Sequence, residues 1–290
     1  MFNDLKKIII GTANLENKYG FSNNKLVFSE FKKILKFVKK NKINSLDIAP
    51  EYKNVFAFLN ETNLKKWNVY SKVSNIPKDK SLIEDYILSS VTESLKKIKI
   101  KNFKGLMLHW PWDLNRSNYK IINKSLKKLK QYKLSNEVGI SLYSNYLKKN
   151  YLNLIDLDFI QCPFNLVDQS IKEKEIIKFF QRKKIRIIVR SIFFQGILLH
   201  TSLKNSGLFK KHPAFLQKLD DFKKKQGDLL KFNLNFIFSQ KFFSNSVIGF
   251  DTLKQFIEIN EIVKKLKNKN IVKIEKIKSF NKKIINPYEW

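Results

Sequence analysis

Four residues of this 290-residue chain, Asp47, Tyr52, Lys72 and His109, have types and placements that suit proton transfer at a carbonyl group. Asp47 closes the segment 43–46, Lys72 follows 69–71 and His109 follows 106–108, so three consecutive apolar segments each finish in an ionisable group. Tyr52 stands in the short loop after Asp47, near enough to lean over the same place. A lysine paired with Asp47 would stay charged, and an ammonium beside a phenol favours phenolate and draws the phenol's pKa down. Such a tyrosine can give a proton to a carbonyl oxygen as it becomes an alkoxide, or take it back in reverse. A neutral His109 would orient the carbonyl and polarise it. Singly these residues are ordinary: a strand-end Asp usually caps a helix, and Lys72 is one of 53 lysines. Their recurrence at the same end of successive segments points to carbonyl reduction.

The elements that must hold them follow from hydrophobic period. Short apolar runs at 7–11, 44–48, 68–72, 105–109, 137–141, 159–161, 186–190 and 246–249 predict eight strands. Segments 29–40, 81–97, 119–131 and 172–183 carry apolar residues at three- and four-residue spacing; in the first, Phe31, Ile34, Leu35 and Val38 form one stripe and lysines the other face. Alternating βα units with strands apolar on both sides imply a parallel sheet covered by helices. Eight units in this length fit an α/β fold of the closed (β/α)8 kind, a TIM barrel. The glycine-rich turn of open dinucleotide-binding sheets is absent after the first strand. No linker divides the chain, so residues 1–290 read as a single domain, with 264–290 as a C-terminal tail. Barrels carry their chemistry at the C-terminal ends of the strands, where the four residues fall. The segment 191–211, after the seventh strand, is a further functional candidate.

Composition narrows the classes. Hydrophobic residues make up 43% of the chain, well above a disordered polyelectrolyte. The net charge of +32 comes from 53 lysines and only four arginines, spread through nearly every segment. Arginine is the residue suited to bidentate phosphate and base recognition, so the excess reads as compositional drift, with no specific nucleic-acid partner expected. A single cysteine, Cys162, excludes an intramolecular disulfide and a multi-cysteine metal site. Lysines interrupt every long apolar window and the N-terminal segment lacks a signal-peptide pattern, so a cytoplasmic protein with no membrane partner is expected.

The motifs, taken in order, resemble the aldo-keto reductase family. Gly11-Thr12-Ala13 through Tyr19-Gly20 is similar to its opening signature, Asp47-Ile48-Ala49-Pro50-Glu51-Tyr52 to its Asp-Thr-Ala-x-x-Tyr motif, Ser71-Lys72 to Thr-Lys, and Leu108-His109-Trp110-Pro111 to Leu-His-x-Pro. The likeness continues through residues 138–141, 160–166, 189–198 and 247–250. It implies an NAD(P)-dependent oxidoreductase that reduces an aldehyde, ketone or sugar-derived carbonyl. Tyr52 would be the general acid, Lys72 and Asp47 its tuning pair, and His109 the carbonyl-orienting residue. By the same resemblance the cofactor is NADPH, with Ser141 and Gln161 at the nicotinamide carboxamide, Arg190 and Ser191 on the pyrophosphate side, and Gly249 with the segment after it at the adenosine end.

Three positions depart from that pattern: Leu142 stands where many members have Asn, Lys53 where Gly is common, and Asp251 where many NADPH users place a basic residue. Asp251 would repel a 2′-phosphate unless Lys254 compensates, which opens NADH as the alternative. Trp110 and Trp112 could wall the carbonyl site, and Phe193 and Phe194 could stack on the nicotinamide or fill the core. The competing readings are a catalytically impaired nucleotide-binding barrel acting as a sensor or subunit, and non-specific nucleic-acid binding through surface lysine.

Overall fold

The computed structural model describes residues 4–21, 23–52, 54–148, 150–201, 203, 211–266 and 272–287. Its strands are β1 (Ile8–Gly11), β2 (Ser45–Asp47), β3 (Asn68–Val73), β4 (Phe103–Leu108), β5 (Ser135–Ser141), β6 (Phe159–Pro163), β7 (Arg186–Arg190) and β8 (Asn245–Ile248). They are all parallel and close in chain order, β8 pairing back onto β1 through Ile8↔Ser246 and Ile10↔Ile248. The chain is therefore the (β/α)8 barrel that its periodicity predicts. Around it lie α1 (Phe28–Lys40), α2 (Val55–Asn60), α3 (Lys80–Ile98), α4 (Tyr119–Gln131), α5 (Lys174–Arg182), α6 (Pro213–Lys224), α7 (Leu229–Phe238), α8 (Leu253–Lys265) and the short α9 (Lys282–Ile285).

Helix starts and faces follow local chemistry. Asp79 begins α3 by accepting from the Ser81 amide, Asp228 begins α7 through Lys231 and Thr252 begins α8 through Gln255. On α5, Ile176 and Phe180 are buried one turn apart, while Glu175 and Lys178 face water. Burying one such aromatic stabilises the fold by about 2–3 kcal/mol.

Alternation along the strands decides what fills the barrel. Ile8, Ile10, Val69, Leu106, Leu108 and Val189 face the helices. Ile9, Tyr70, Met107, Phe159 and Ile188 point inward, with Val247 packed on them, and plug the interior. Tyr70 and Phe159 meet edge to face at 5.7 Å, and two glycines make room for them. A Cβ at Gly105 would stand 2.6 Å from the Tyr70 ring, and one at Gly139 2.6 Å from the Phe159 carbonyl oxygen.

The fifth unit departs from the regular pattern. Between β5 and β6 the described residues form only 3-10 turns, Ser144–Tyr146 and Asn150–Leu154, and no α-helix. Asn145, Asn150 and Asn153 favour turns there, and the buried Leu147, Leu152 and Ile155 do not fall on one helical stripe. In compensation α6 and α7 both lie between β7 and β8. Helix α8 takes in Lys264 and Lys265, so the tail proper begins after them. Residues 272–287 run along the flank: Gln240 donates to the Val272 carbonyl, Gln169 to that of Ile274, and the Ser279 amide to Val167. Ile277, Ile284 and Ile285 are buried by this packing. Lys53, Tyr288 and Trp290 lie outside the described residues, and among those residues no helix is long and apolar enough to cross a membrane.

Candidate active site

Two residues beyond the plug, the same inward face of the strands turns polar. Gly11, Lys72, His109, Ser141, Gln161, Arg190 and Gly249 stand two positions after Ile9, Tyr70, Met107, Gly139, Phe159, Ile188 and Val247. All seven, with Asp47 and Tyr52, line one cavity of about 760 Å³ at the C-terminal mouth. That volume suits a cofactor and a small substrate together.

At its floor the Lys72 ammonium donates to Asp47 Oδ1 at 2.6 Å and to the Ile48 carbonyl at 3.0 Å, both side chains almost wholly buried. Gln161 Nε2 reaches across the barrel to Asp47 Oδ2 at 2.7 Å, and Thr12 Oγ1 donates to the Asp47 carbonyl oxygen. Lys72 Nζ stands 4.9 Å from the centre of the Tyr52 ring, and His109 meets that ring edge-on at 6.2 Å. Among the described residues the Tyr52 hydroxyl has no hydrogen-bond partner and is not sealed off, so it opens to the cavity.

The electrostatics differ from the expectation at Tyr52. Burial, with the Asp47 carboxylate adding to it, pushes the phenol well above 10, whereas an ammonium neighbour was expected to draw it down. Lys72 directs its protons at Asp47 and Ile48, and burial lowers its own pKa despite the attraction of Asp47. At neutral pH Tyr52 thus holds its proton. Burial also holds His109 below its usual range, against the pull of Glu51.

Glu51 is the residue that sequence reasoning passed over. Its Oε2 lies 3.0 Å from His109 Nδ1, and its carboxyl stays below the usual range although burial opposes this, because the histidine bonds to it. The available signal was its place beside Tyr52 in the same loop. Trp110 is stacked between His109 at 4.1 Å and Trp112 at 4.9 Å. Trp110 lines the cavity, while Trp112 is about half exposed and does not.

The remaining lining residues offer polar groups that could hold a cofactor. Ser141 Oγ and Gln161 Oε1 make no hydrogen bond among the described residues and are not buried away, which leaves one hydroxyl and one carbonyl oxygen for an amide group. Leu142 is fully buried and faces away from the cavity. Arg190 rests on the Tyr143 ring at 4.7 Å and bonds Ser191 Oγ at 3.3 Å. Ser191, Phe194, Gln195 and Gly196 all have positive φ, a strained run of the kind that gathers at ligand loops. The Gln195 carbonyl accepts from the Phe21 amide, which closes this loop onto the one after β1. Phe193 lines the cavity and Phe194 is core.

At the far end Asp251 accepts from Asn14 at 2.9 Å and from Asn24 at 3.4 Å, with Gln255 and Glu258 beside it in the lining. Lys254 is exposed and stands outside the cavity lining. Among the described residues no cluster of His, Cys, Asp and Glu could hold a metal ion.

The eight-stranded parallel barrel thus carries a buried lysine–aspartate pair, a protonated tyrosine and a histidine at its C-terminal mouth. The sequence profile of the Aldo/keto reductase family matches residues 7–279, and the chain belongs to that family. No curated protein sequence matches it. Among solved structures it is similar to an aldo-keto reductase from Bacillus halodurans. The holo form superposes with a TM-score of 0.67 at 19% identity over 82% of each chain. The apo form gives 0.69 at 16% identity over 93% of this chain and 89% of that one. A candidate aldo-keto reductase of Pseudomonas aeruginosa gives 0.64 at 16% identity over 89% of each chain. At such identities the likeness speaks for the fold.

Proposed function

We propose that the protein reduces a small aldehyde, ketone or sugar-derived carbonyl, with Tyr52 as the proton donor. The observation that carries this reading is the Tyr52 hydroxyl: protonated at neutral pH, open to the cavity, and beside both the Lys72–Asp47 pair and His109. When bound, the reduced nicotinamide supplies the hydride that reaches the carbonyl carbon. Tyr52 Oη gives its proton to the carbonyl oxygen, and the phenolate left behind is stabilised by the Lys72 ammonium. Asp47 keeps that ammonium charged and in place, and Gln161 keeps Asp47 in place. His109 orients the substrate beside the tyrosine. The acid is in reserve before the reaction, which suits the reductive direction. The sensor reading is not favoured, because the four polar groups meet at one cavity.

Ser141 and Gln161 would hold the carboxamide, and Arg190 with the strained Ser191–Gly196 loop the diphosphate side. The acidic lining at Asp251 and Glu258 supports NADH over the NADPH that the family resemblance implies, since a carboxylate accepts from a free ribose hydroxyl and repels a phosphate.

Tyr52→Phe tests the acid. Reduction of an aldehyde panel, followed by nicotinamide absorbance, should fall by about 10²–10⁴-fold, while dinucleotide binding by fluorescence titration stays within a few-fold. Unchanged turnover in that variant would overturn the assignment.

A further inference from the structure

The contact between Glu51 and His109 sets the polarity of the histidine. An ionised carboxylate has no hydrogen to give, so across the 3.0 Å contact from Nδ1 to Oε2 the proton belongs to Nδ1. In the neutral ring Nε2 is then a bare lone pair. Nε2 has no partner among the described residues and is not sealed from solvent, and the ring lines the cavity. Stacking on Trp110, with an interplanar angle of 7°, and the edge-on Tyr52 ring hold the imidazole in this orientation.

A lone pair facing the cavity cannot donate to a carbonyl oxygen, so the polarising role expected of a neutral His109 has no proton behind it. It can accept from a hydroxyl. A substrate whose carbonyl takes the Tyr52 proton and whose neighbouring carbon bears a hydroxyl would satisfy both groups at once. We propose that Glu51 is a positioning residue that fixes His109 as the Nδ1–H tautomer and thereby selects carbonyl compounds with a hydroxyl next to the carbonyl. The selectivity rests on the reductase reading, but the tautomer does not.

Protonation of His109 reverses the polarity, because the imidazolium donates from both nitrogens. The groups that set this step are Glu51 and Asp47 from β2 and its loop, which favour the cation, and Lys72 from β3, which opposes it together with burial. Tyr52 packs edge-on against the ring, and Asp113 acts on Glu51 from the loop after β4.

The test has two arms on the full chain. In the first, ¹⁵N NMR of the three histidines, assigned with His200→Gln and His212→Gln, reads the tautomer without substrate or cofactor. Nδ1 of His109 should be protonated at pH 7.5, and the near-isosteric Glu51→Gln should move population toward Nε2–H. In the second, kcat/KM is compared for hydroxyacetone and methoxyacetone, which keeps the electron-withdrawing oxygen but lacks the donor. The wild type should favour hydroxyacetone about tenfold, the worth of one hydrogen bond. Glu51→Gln should bring the ratio toward one, and the wild-type ratio should also fall as pH drops and His109 gains its second proton. An Nε2–H tautomer in the wild type, or equal kcat/KM for both ketones, overturns the inference and leaves the reductase standing. The expected tautomer in a protein that reduces no carbonyl compound overturns the reductase reading and the selectivity with it.

Discussion

Replacing Lys72 by methionine leaves the Asp47 carboxylate at the bottom of the barrel mouth with Gln161 as its side-chain donor. The lost contact is 2.6 Å long between side chains 2% and 4% exposed. Stranding one member of a buried pair costs about 3–5 kcal/mol, and the bond from Gln161 that survives to Oδ2 places the expected loss near ~3 kcal/mol, at the low end of that range. Asp47→Asn strands the ammonium instead and should cost a similar amount. The double variant carries no stranded charge, so its loss should be smaller than the sum of the singles by at least about 2 kcal/mol. Urea denaturation of the four proteins at pH 7.5 gives the coupling directly. Singles that add to within about 0.5 kcal/mol would refute the view that the two residues act as one electrostatic unit, and with it the account of how Lys72 is kept charged beside Tyr52.

Three further outcomes can be checked. The dissociation constant for NADH should be at least about tenfold lower than that for NADPH, and Asp251→Asn should narrow that gap by removing about 1.4 kcal/mol of repulsion; an equal preference in both proteins would remove Asp251 from the specificity argument. Asp113, whose Oδ2 is buried without a partner, is raised by burial from 3.8 to about 6. The folded state then binds its proton more tightly than the unfolded chain, so stability present at low pH is lost as pH rises through about 6. Asp113→Asn should therefore gain about 1 kcal/mol at pH 7.5, after allowance for solvent screening, and nothing at pH 4, as read by denaturant midpoints. Gly139→Ala would drive a methyl to 2.6 Å from the Phe159 carbonyl oxygen and should destabilise by about 1–3 kcal/mol; a neutral effect in calorimetry would show that the plug yields.

Much of this was legible because the barrel is a periodic object. All eight strands fall on the apolar runs, with ends shifted by two residues at most. The polar residues closing successive strands meet at one cavity because strand ends share one rim. What stayed hidden depends on distance in space. Nothing local says that Gln161 will bond Asp47 across the barrel, 114 residues away, or that Glu51 will find His109, 58 residues on. The direction at Tyr52 was misread for a related reason: pairing with Lys72 is visible in residue types, whereas the sum of burial and the Asp47 charge is a property of the closed cavity. Nor does the sequence show which of Lys254 and Gln255 lines the cavity, since one position along a helix turns a side chain by roughly 100°, and it is Gln255 that does.

The two-residue offset between the plug and the polar layer ties correct folding to correct chemistry. A strand that paired one position out of register would swing Lys72 or Arg190 toward the helices and a valine or serine into its place at the mouth. Such an error would bury a charge against hydrocarbon and open the floor at once, a double penalty that makes it self-rejecting. The apolar interior therefore acts as a proofreading device for the polar rim: a chain that closes its barrel with the plug intact has, by that fact, aligned the residues above it.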